Sequence, residues 1–179
     1  MAQAGILSED DRVELIDGEI LKMAPIGSRH AGAVKRLLDK FINLQAAGKV
    51  LLSVQDPVRL GEHSELQPDL MLLRPRPDFY ASSHPGPQDV LLLVEVEDLS
   101  AAEAQAGTSA RYDREAKLLL LARAAIPEVW LIDLSEERIE VHRQPSPQGY
   151  QEVQHARRGE RVAPSALPDV FLPVEAILG

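Results

Sequence analysis

The sequence predicts a mixed α/β fold, and three observations support this fold class. Residues 90–96 are almost all branched aliphatic, which is typical of a strand buried on both faces of a sheet. Residues 129–134 form a second run of this kind. Apolar residues at helical spacing occur before the first run and again between the two runs. We therefore predict an α/β fold in which both runs are central strands of a sheet.

Length and composition indicate one folded domain. The chain has 179 residues, of which 45% are hydrophobic and 26% are charged, and these values are close to the globular average. At this length, folding hides roughly 70% of the surface that the unfolded chain exposes. We therefore expect a single domain over residues 1–179. The chain has no cysteine, so any bound metal must be held by oxygen or imidazole ligands.

The charge and hydropathy patterns exclude several classes of protein. A formal net charge of −9 argues against a general nucleic-acid coating protein, because sequence-independent affinity for phosphates comes from Lys and Arg. A polynucleotide substrate would have to meet a locally basic cleft. No apolar run approaches the roughly 20 residues that cross a bilayer, and the N-terminus lacks the pattern of a signal peptide. We expect a cytoplasmic protein that does not enter the membrane.

The first half of the chain predicts a hairpin, a helix and several short strands. The pair Asp17-Gly18 between two short apolar pieces is a strong hairpin signal. Ser28 is the predicted N-cap of a helix that ends near Gly48. The apolar residues of this helix are Val34, Leu37, Leu38, Phe41 and Ile42. Residues 50–54, 57–60 and 69–73 are predicted strands, and residues 61–68 are a predicted polar loop.

The second half predicts one helix and a set of C-terminal strands. Residues 111–125 have helical periodicity, and Pro127 marks the exit from this helix. The preceding segment, 101–110, is small and polar and predicts no defined state. After the strand at 129–134, residues 138–142 alternate in polarity, residues 145–149 form a turn, and a further strand starts at 150. We therefore predict a C-terminal antiparallel strand extension.

Three acidic residues are candidates for metal chemistry. Asp69 opens a strand directly after Pro68, at a place where the missing proline N–H costs nothing. Glu95 lies late in the most hydrophobic strand, where a carboxylate is unfavourable unless a cation or hydrogen bonds compensate it. A glutamate at a sheet edge that reaches solvent is an equally good interpretation. Glu97 lies two residues later and points to the same face. Such a pair of carboxylates suits Mg²⁺.

Three further residues have ordinary structural explanations as well as functional ones. Lys117 lies four residues after Asp113, so a solvated ion pair on the helix surface is its default role. His30 lies one turn before Val34, where a core or capping histidine is the commoner outcome. Glu14 flanks the predicted hairpin turn and would normally be a solvated strand residue.

An ordered set of short motifs resembles one known family. Pro68-Asp69 followed by Glu95-Val96-Glu97 resembles the signature of the PD-(D/E)XK nuclease superfamily. More specifically, several stretches are similar to the Uma-type restriction endonuclease family. These stretches are residues 14–19 (ELIDGE), 25–30, 67–70, 92–96, 112–117 and 122–130. The similarity extends over about residues 11–153.

The resemblance implies a restriction-endonuclease-like fold and a metal-dependent endonuclease that hydrolyses DNA phosphodiester bonds. In this family the central sheet is mixed and is flanked by helices. Asp69, Glu95 and the backbone carbonyl of Val96 would then bind Mg²⁺ or Mn²⁺. The metal would polarise the scissile phosphate and lower the pKa of its bound water.

The resemblance also implies roles for four other side chains. Glu97 stands where the superfamily signature has its lysine, so Lys117 on the following helix becomes the candidate for positioning the water or stabilising charge. Glu97 keeps a rival role near the nucleophile. Glu14 matches an acidic residue that often completes such sites, and His30 falls where the family commonly shows histidine.

Two alternatives and one structural question stay open at this point. The chain could be a catalytically inactive binding or assembly domain with the nuclease fold, as a homodimer joined through its C-terminal strands. It could also hydrolyse RNA or a nucleotide with the same site. Segment 101–110 is an insertion relative to the family pattern, so whether Lys117 reaches the metal carboxylates depends on how this segment folds.

Overall fold

The computed structural model describes residues 13–22, 26–98 and 109–179 of the chain. Most of segment 101–110 therefore lies outside the described residues. Twelve strands, three α-helices and one short 3-10 helix, Pro87–Asp89, are found in the described part. The strands and α-helices are β1 (Val13–Ile16), β2 (Glu19–Lys22), α1 (Ser28–Ala46), β3 (Leu51–Ser53), β4 (Val58–Arg59), β5 (Glu65–Leu66), β6 (Leu70–Leu73), β7 (Val90–Glu97), α2 (Ser109–Arg123), β8 (Glu128–Asp133), β9 (Arg138–Ser146), β10 (Gly149–Arg157), β11 (Arg161–Val162), β12 (Leu172–Pro173) and α3 (Val174–Leu178).

The central sheet has six strands in the order β10-β9-β8-β7-β6-β3. Strands β7 and β8 are parallel, and the other neighbouring pairs are antiparallel. The sheet is therefore mixed, as predicted. The predicted C-terminal strands are the hairpin β9–β10, which continues the central sheet beyond β8.

Apolar side chains pack on both faces of this sheet. On one face, Phe41 of α1 packs with Trp130 and Val94. On the other face, Leu121 of α2 packs with Leu93. Because successive residues of a strand point to opposite faces, the alternation along β7 places its acidic residues on the face that α2 covers.

The predicted hairpin is confirmed as β1–β2. Asp17 (φ 49°) and Gly18 (φ 87°) both adopt the left-handed region, as the two central residues of a type I′ turn must. Strand β1 also pairs with β5, which lies inside the segment predicted as a loop. That prediction was wrong for residues 65–66, because a two-residue strand has no periodicity of its own and depends on its neighbours β1 and β4.

Helix α1 differs from its prediction at its start and on one side. Its N-cap is Gly27, so Ser28 is the first helical residue and does not cap the helix. Ile42 is 47% exposed and does not belong to the buried face. The predicted end is correct, because Gly48 has a φ of 68° and closes the helix with hydrogen bonds typical of a Schellman motif. In the described part of the chain, no helix is long and apolar enough to cross a membrane.

Candidate active site

Two of the predicted acids come together where β6 begins and β7 ends. The antiparallel register pairs Leu70 with Val94, so Asp69, which precedes Leu70, comes level with Glu95. Oδ2 of Asp69 accepts a hydrogen bond of 2.9 Å from the backbone N–H of Val96. Strand β7 lies in the middle of the sheet. Glu95 is therefore not an edge residue that reaches solvent, and that interpretation was wrong.

Helix α2 brings Lys117 to these acids. The ammonium nitrogen of Lys117 lies 2.8 Å from Oε1 of Glu95. It also donates to both carboxylate oxygens of Glu14, at 3.0 and 3.1 Å. Only 19% of the Lys117 side chain is exposed, so its default role as a solvated surface residue was wrong. The insertion in segment 101–110 does not prevent Lys117 from reaching Glu95.

Glu14 connects the small sheet to this cluster. It lies on β1 and is buried rather than solvated, contrary to its default interpretation. Besides Lys117, its Oε1 accepts a hydrogen bond of 3.0 Å from the backbone N–H of Gln67. The segment that leads into Pro68-Asp69 is thereby held against β1.

His30 and Gln55 approach Asp69 from two other elements. Nε2 of His30, in the first turn of α1, lies 2.7 Å from Oδ1 of Asp69. Nε2 of Gln55 lies 3.4 Å from the same oxygen. The sequence reasoning did not single out Gln55. Its backbone is left-handed (φ 55°), a conformation that non-glycine residues rarely adopt. A glutamine in this conformation cannot be recognised from the sequence.

Burial and charge shift the protonation of this cluster. Burial raises the pKa of Glu95 to about 7. The positive charge of Lys117 lowers this pKa, but the negative charges of Asp69 and Glu14 offset that effect. Burial lowers the pKa of Lys117, but Glu95 and Glu14 outweigh this effect and hold the pKa above its ordinary value. Oε1 of Glu95 is buried, and the Lys117 ammonium that contacts it at 2.8 Å is shared with both carboxylate oxygens of Glu14. One ammonium group therefore does not compensate this carboxylate fully.

Glu97 shares a face with Glu95 but has a different partner. Its Oε2 accepts a hydrogen bond of 3.0 Å from Arg114 of α2. The same guanidinium also pairs with Glu140 of β9. Sequence reasoning did not single out Arg114. Its position three residues before Lys117 is a signal that could have found it, because residues three apart lie on one helix face.

Comparison with known proteins assigns the family. The sequence matches the family described as "Uma2: Putative restriction endonuclease" over residues 2–175. The chain belongs to the Uma2 family. This assignment confirms the resemblance that the short motifs indicate. No curated protein sequence matches the chain.

A solved structure shares the fold of this Uma2 chain. It is titled "Crystal structure of a putative nuclease belonging to DUF820" and comes from Anabaena variabilis ATCC 29413. The two chains are 14% identical and superpose with a TM-score of 0.72, over 98% of the Uma2 chain and 94% of the other. The restriction-endonuclease-like mixed α/β fold is thereby confirmed.

The donors of the Uma2 site fit a hard cation, although they do not surround one in advance. Among the described residues, no three His, Asp or Glu side chains form a ready metal-binding group. Lys117 stands between Glu14 and Glu95, and the oxygens of Asp69 are engaged by His30 and the Val96 amide. However, the acids offer oxygen ligands, and the buried Oε1 of Glu95 shares the Lys117 ammonium with Glu14. Divalent magnesium or manganese ions prefer such ligands.

Proposed function

We propose that this Uma2 protein is a metal-dependent endonuclease that hydrolyses DNA phosphodiester bonds. The observation that carries the proposal is the cluster in which Glu95 of β7 meets Lys117 of α2, which also binds Glu14 of β1, while Asp69 at the start of β6 binds the Val96 amide beside Glu95. Core packing alone does not require several buried carboxylates around one lysine. The nuclease descriptions of the family and of the solved structure support the same reaction class.

In this proposal, Asp69, Glu95 and the backbone carbonyl of Val96 hold Mg²⁺ or Mn²⁺. When bound, such an ion acts as a Lewis acid on the phosphate and lowers the pKa of a water ligand. Asp69 is suited to binding a metal because contacts with His30 and with the Val96 amide already orient both of its carboxylate oxygens. His30 is therefore a positioning residue that acts through Asp69.

Lys117 supplies positive charge in this proposal. The neighbouring carboxylates keep its pKa above the ordinary value, so the side chain stays protonated at neutral pH and cannot serve as a general base. A protonated lysine can orient the attacking water by hydrogen bonding and stabilise charge that develops on the phosphate oxygens. Glu14 and Glu95 both contact the ammonium group, so Lys117 is held in place by two carboxylates.

Nicking of supercoiled plasmid in the presence of Mn²⁺ tests the proposal. We expect the wild type to nick plasmid, and we expect Asp69→Asn and Glu95→Gln each to abolish nicking. Asp39→Asn is a matched control, since Asp39 is an acid on α1 whose side chain is 72% exposed. A thermal melt with and without Mn²⁺ should show stabilisation of the wild type that Asp69→Asn lacks. Equal stabilisation of both proteins, or none, would contradict the metal site.

The net charge of −9 favours a comparison of substrates in the same assay. Long DNA gains affinity from its phosphates only where basic groups meet them, and a chain with this net charge offers few such groups, so we expect weak binding of long DNA. Short RNA and bis(4-nitrophenyl) phosphate should therefore be tested alongside plasmid. Cleavage of RNA alone would redirect the proposal to an RNA phosphodiesterase. Metal binding without cleavage of any substrate would indicate a binding domain.

A further inference from the structure

Strand β10 forms a long edge of the central sheet. It comprises nine residues, Gly149–Arg157, and its pairing with β9 keeps one register on both sides of Gln151. At this position the pairing is interrupted, and the opposite residue Gln144 has a φ of 56°. In the described part of the chain, no strand pairs with its outer side. A strand of this length spans roughly 30 Å and presents a row of N–H and C=O groups along its outer side. At its two ends, the Arg157 N–H already donates to Glu160 and the Gly149 carbonyl accepts from Ser146.

The other sheet edges are protected in ways that β10 is not. The opposite edge of the same sheet is β3, with three residues, and the edges of the small sheet are β2 and β4, with four and two. Natural proteins protect edges by short strands, proline, lysine or bulges, because an exposed edge pairs with other strands. Strand β10 contains no proline and no lysine.

We infer that β10 pairs with β10 of a second copy of this chain. The two strands would run antiparallel around a two-fold axis and join the two sheets into one of twelve strands. This interface does not depend on the proposed nuclease activity. In this dimer, the partner of strand β10 is the same strand of another subunit.

The residue pattern of β10 favours one register. Full overlap of the nine residues places Gly149 opposite Arg157 and the two-fold axis at Val153. Val153 is 45% exposed and is the large apolar side chain that this strand presents to solvent among the described residues. In the dimer it would pack against its own copy.

Charges agree with the same register. With the axis at Val153, Gln151 faces His155 and Glu152 faces Gln154, so no like charges stand opposite each other. Moving the axis one residue towards the start of the strand would oppose the two copies of Glu152. Moving it one residue onward would separate the two Val153 side chains and shorten the overlap.

A charge swap at the axis tests this interface. Light scattering of the wild type should give twice the monomer mass of 19.7 kDa. Val153→Lys and Val153→Glu place like charges opposite each other and should each give the monomer mass. An equimolar mixture of the two variants should restore the dimer mass. Ile42→Lys is the matched control, because Ile42 is equally exposed but lies on α1, and it should remain dimeric.

A measurement on the unmodified protein completes the test. Hydrogen exchange of the β10 amides should slow as the wild-type concentration rises, while exchange in β8 should not depend on concentration. A wild type that stays monomeric up to its solubility limit overturns the inference. A Val153→Lys variant that stays dimeric also overturns it, because the dimer would then use another surface. A monomer whose β10 edge binds a foreign extended peptide would show that the edge serves a different partner.

Discussion

Helix α2 places two basic side chains on one face of the central sheet, and their surroundings differ. Lys117 meets Glu95, and Arg114, three residues earlier, meets Glu97. The two acids lie only two residues apart on β7. The local sequence is therefore similar at both places, an acid on a buried strand opposite a cation on the same helix.

The two clusters differ in how many cations face each group of acids, although burial raises the pKa of Glu97 as it raises that of Glu95. Around Arg114, Glu140 accepts a hydrogen bond from His142 and pairs with Arg114 and Arg138. The His142 hydrogen bond, together with the two arginines, lowers the pKa of Glu140 to about 2 against the effect of burial. Around Lys117, one ammonium serves two carboxylates, and the pKa of Glu95 rises to about 7.

This comparison separates a structural ion network from a candidate active site. In a network where the cations balance the acids, the ion pairs stabilise the fold, and little negative charge is left to attract a metal ion. A cluster with too few cations retains unfavourable negative charge, which an external cation can offset. By this criterion the Lys117 cluster is the candidate active site, and the Arg114 cluster is a structural neighbour.

Removing each cation should give the largest contrast. Lys117→Met should lower the rate of plasmid nicking about 100- to 1000-fold, the effect of losing one donor that stabilises charge in the transition state. Arg114→Met should retain most of the activity of the protein that stays folded. Initial nicking rates per folded molecule measure this difference. If both variants lose activity equally, the two clusters do not have separate roles.

The same substitution of Arg114 should have a large effect on stability. It leaves Glu97 and Glu140 in a largely buried place without their shared guanidinium, so we expect a loss of roughly 3 kcal/mol of unfolding free energy. Urea denaturation measures this loss. Arg158→Met is the control, because its pair with Glu137 is exposed and water screens the attraction between such charges. Equal losses in both variants would contradict a structural role for the network.

Removing the side chain that holds Asp69 in place should have a smaller effect, and the quantity that changes is the affinity for metal. His30→Ala removes the side chain that contacts Oδ1 of Asp69, and such supporting contacts contribute about 10- to 100-fold to metal affinity. Calorimetric titration with Mn²⁺ measures the change. The control is His84→Ala, which removes an exposed histidine. Unchanged Mn²⁺ affinity in His30→Ala would assign His30 to packing alone.

The two pKa shifts predict pH effects of opposite sign. The pKa of Glu95 is raised from 4.5 to about 7, so its contribution to stability falls as pH rises through this window. Glu95→Gln should therefore melt several degrees above the wild type at pH 8 and close to it at pH 4. The pKa of Glu140 is lowered from 4.5 to about 2, so its contribution is present above 4.5 and is lost as pH falls towards 2.

Thermal melts across this pH range check both signs. Glu140→Gln should melt below the wild type at pH 7, and the difference should shrink as pH falls. If Glu95→Gln is less stable than the wild type at pH 8, the ion pair with Lys117 outweighs burial, and Glu95 resembles Glu140. The comparison between the two clusters would then fail.

Much of the fold could be predicted because its signals are local. The turn at Asp17-Gly18 depends on two residues that tolerate a positive φ. Strands β7 and β8 were recognisable because burial on both faces requires nearly continuous apolar residues. The short strand β5 was not predicted, since its two residues have no period and depend on partners elsewhere in the chain.

The candidate site divides in the same way. The sequence by itself determined which residue types occur, that Glu95 lies in a strand and that Asp69 lies where a strand begins, because strand period and family motifs are read along the chain. Only the tertiary structure decided that Glu14 binds Lys117, a contact across 103 positions, and that Glu97 binds Arg114 rather than Lys117. The reason is physical: which acid a cation meets depends on how α2 lies across the sheet, and packing between distant segments sets that placement.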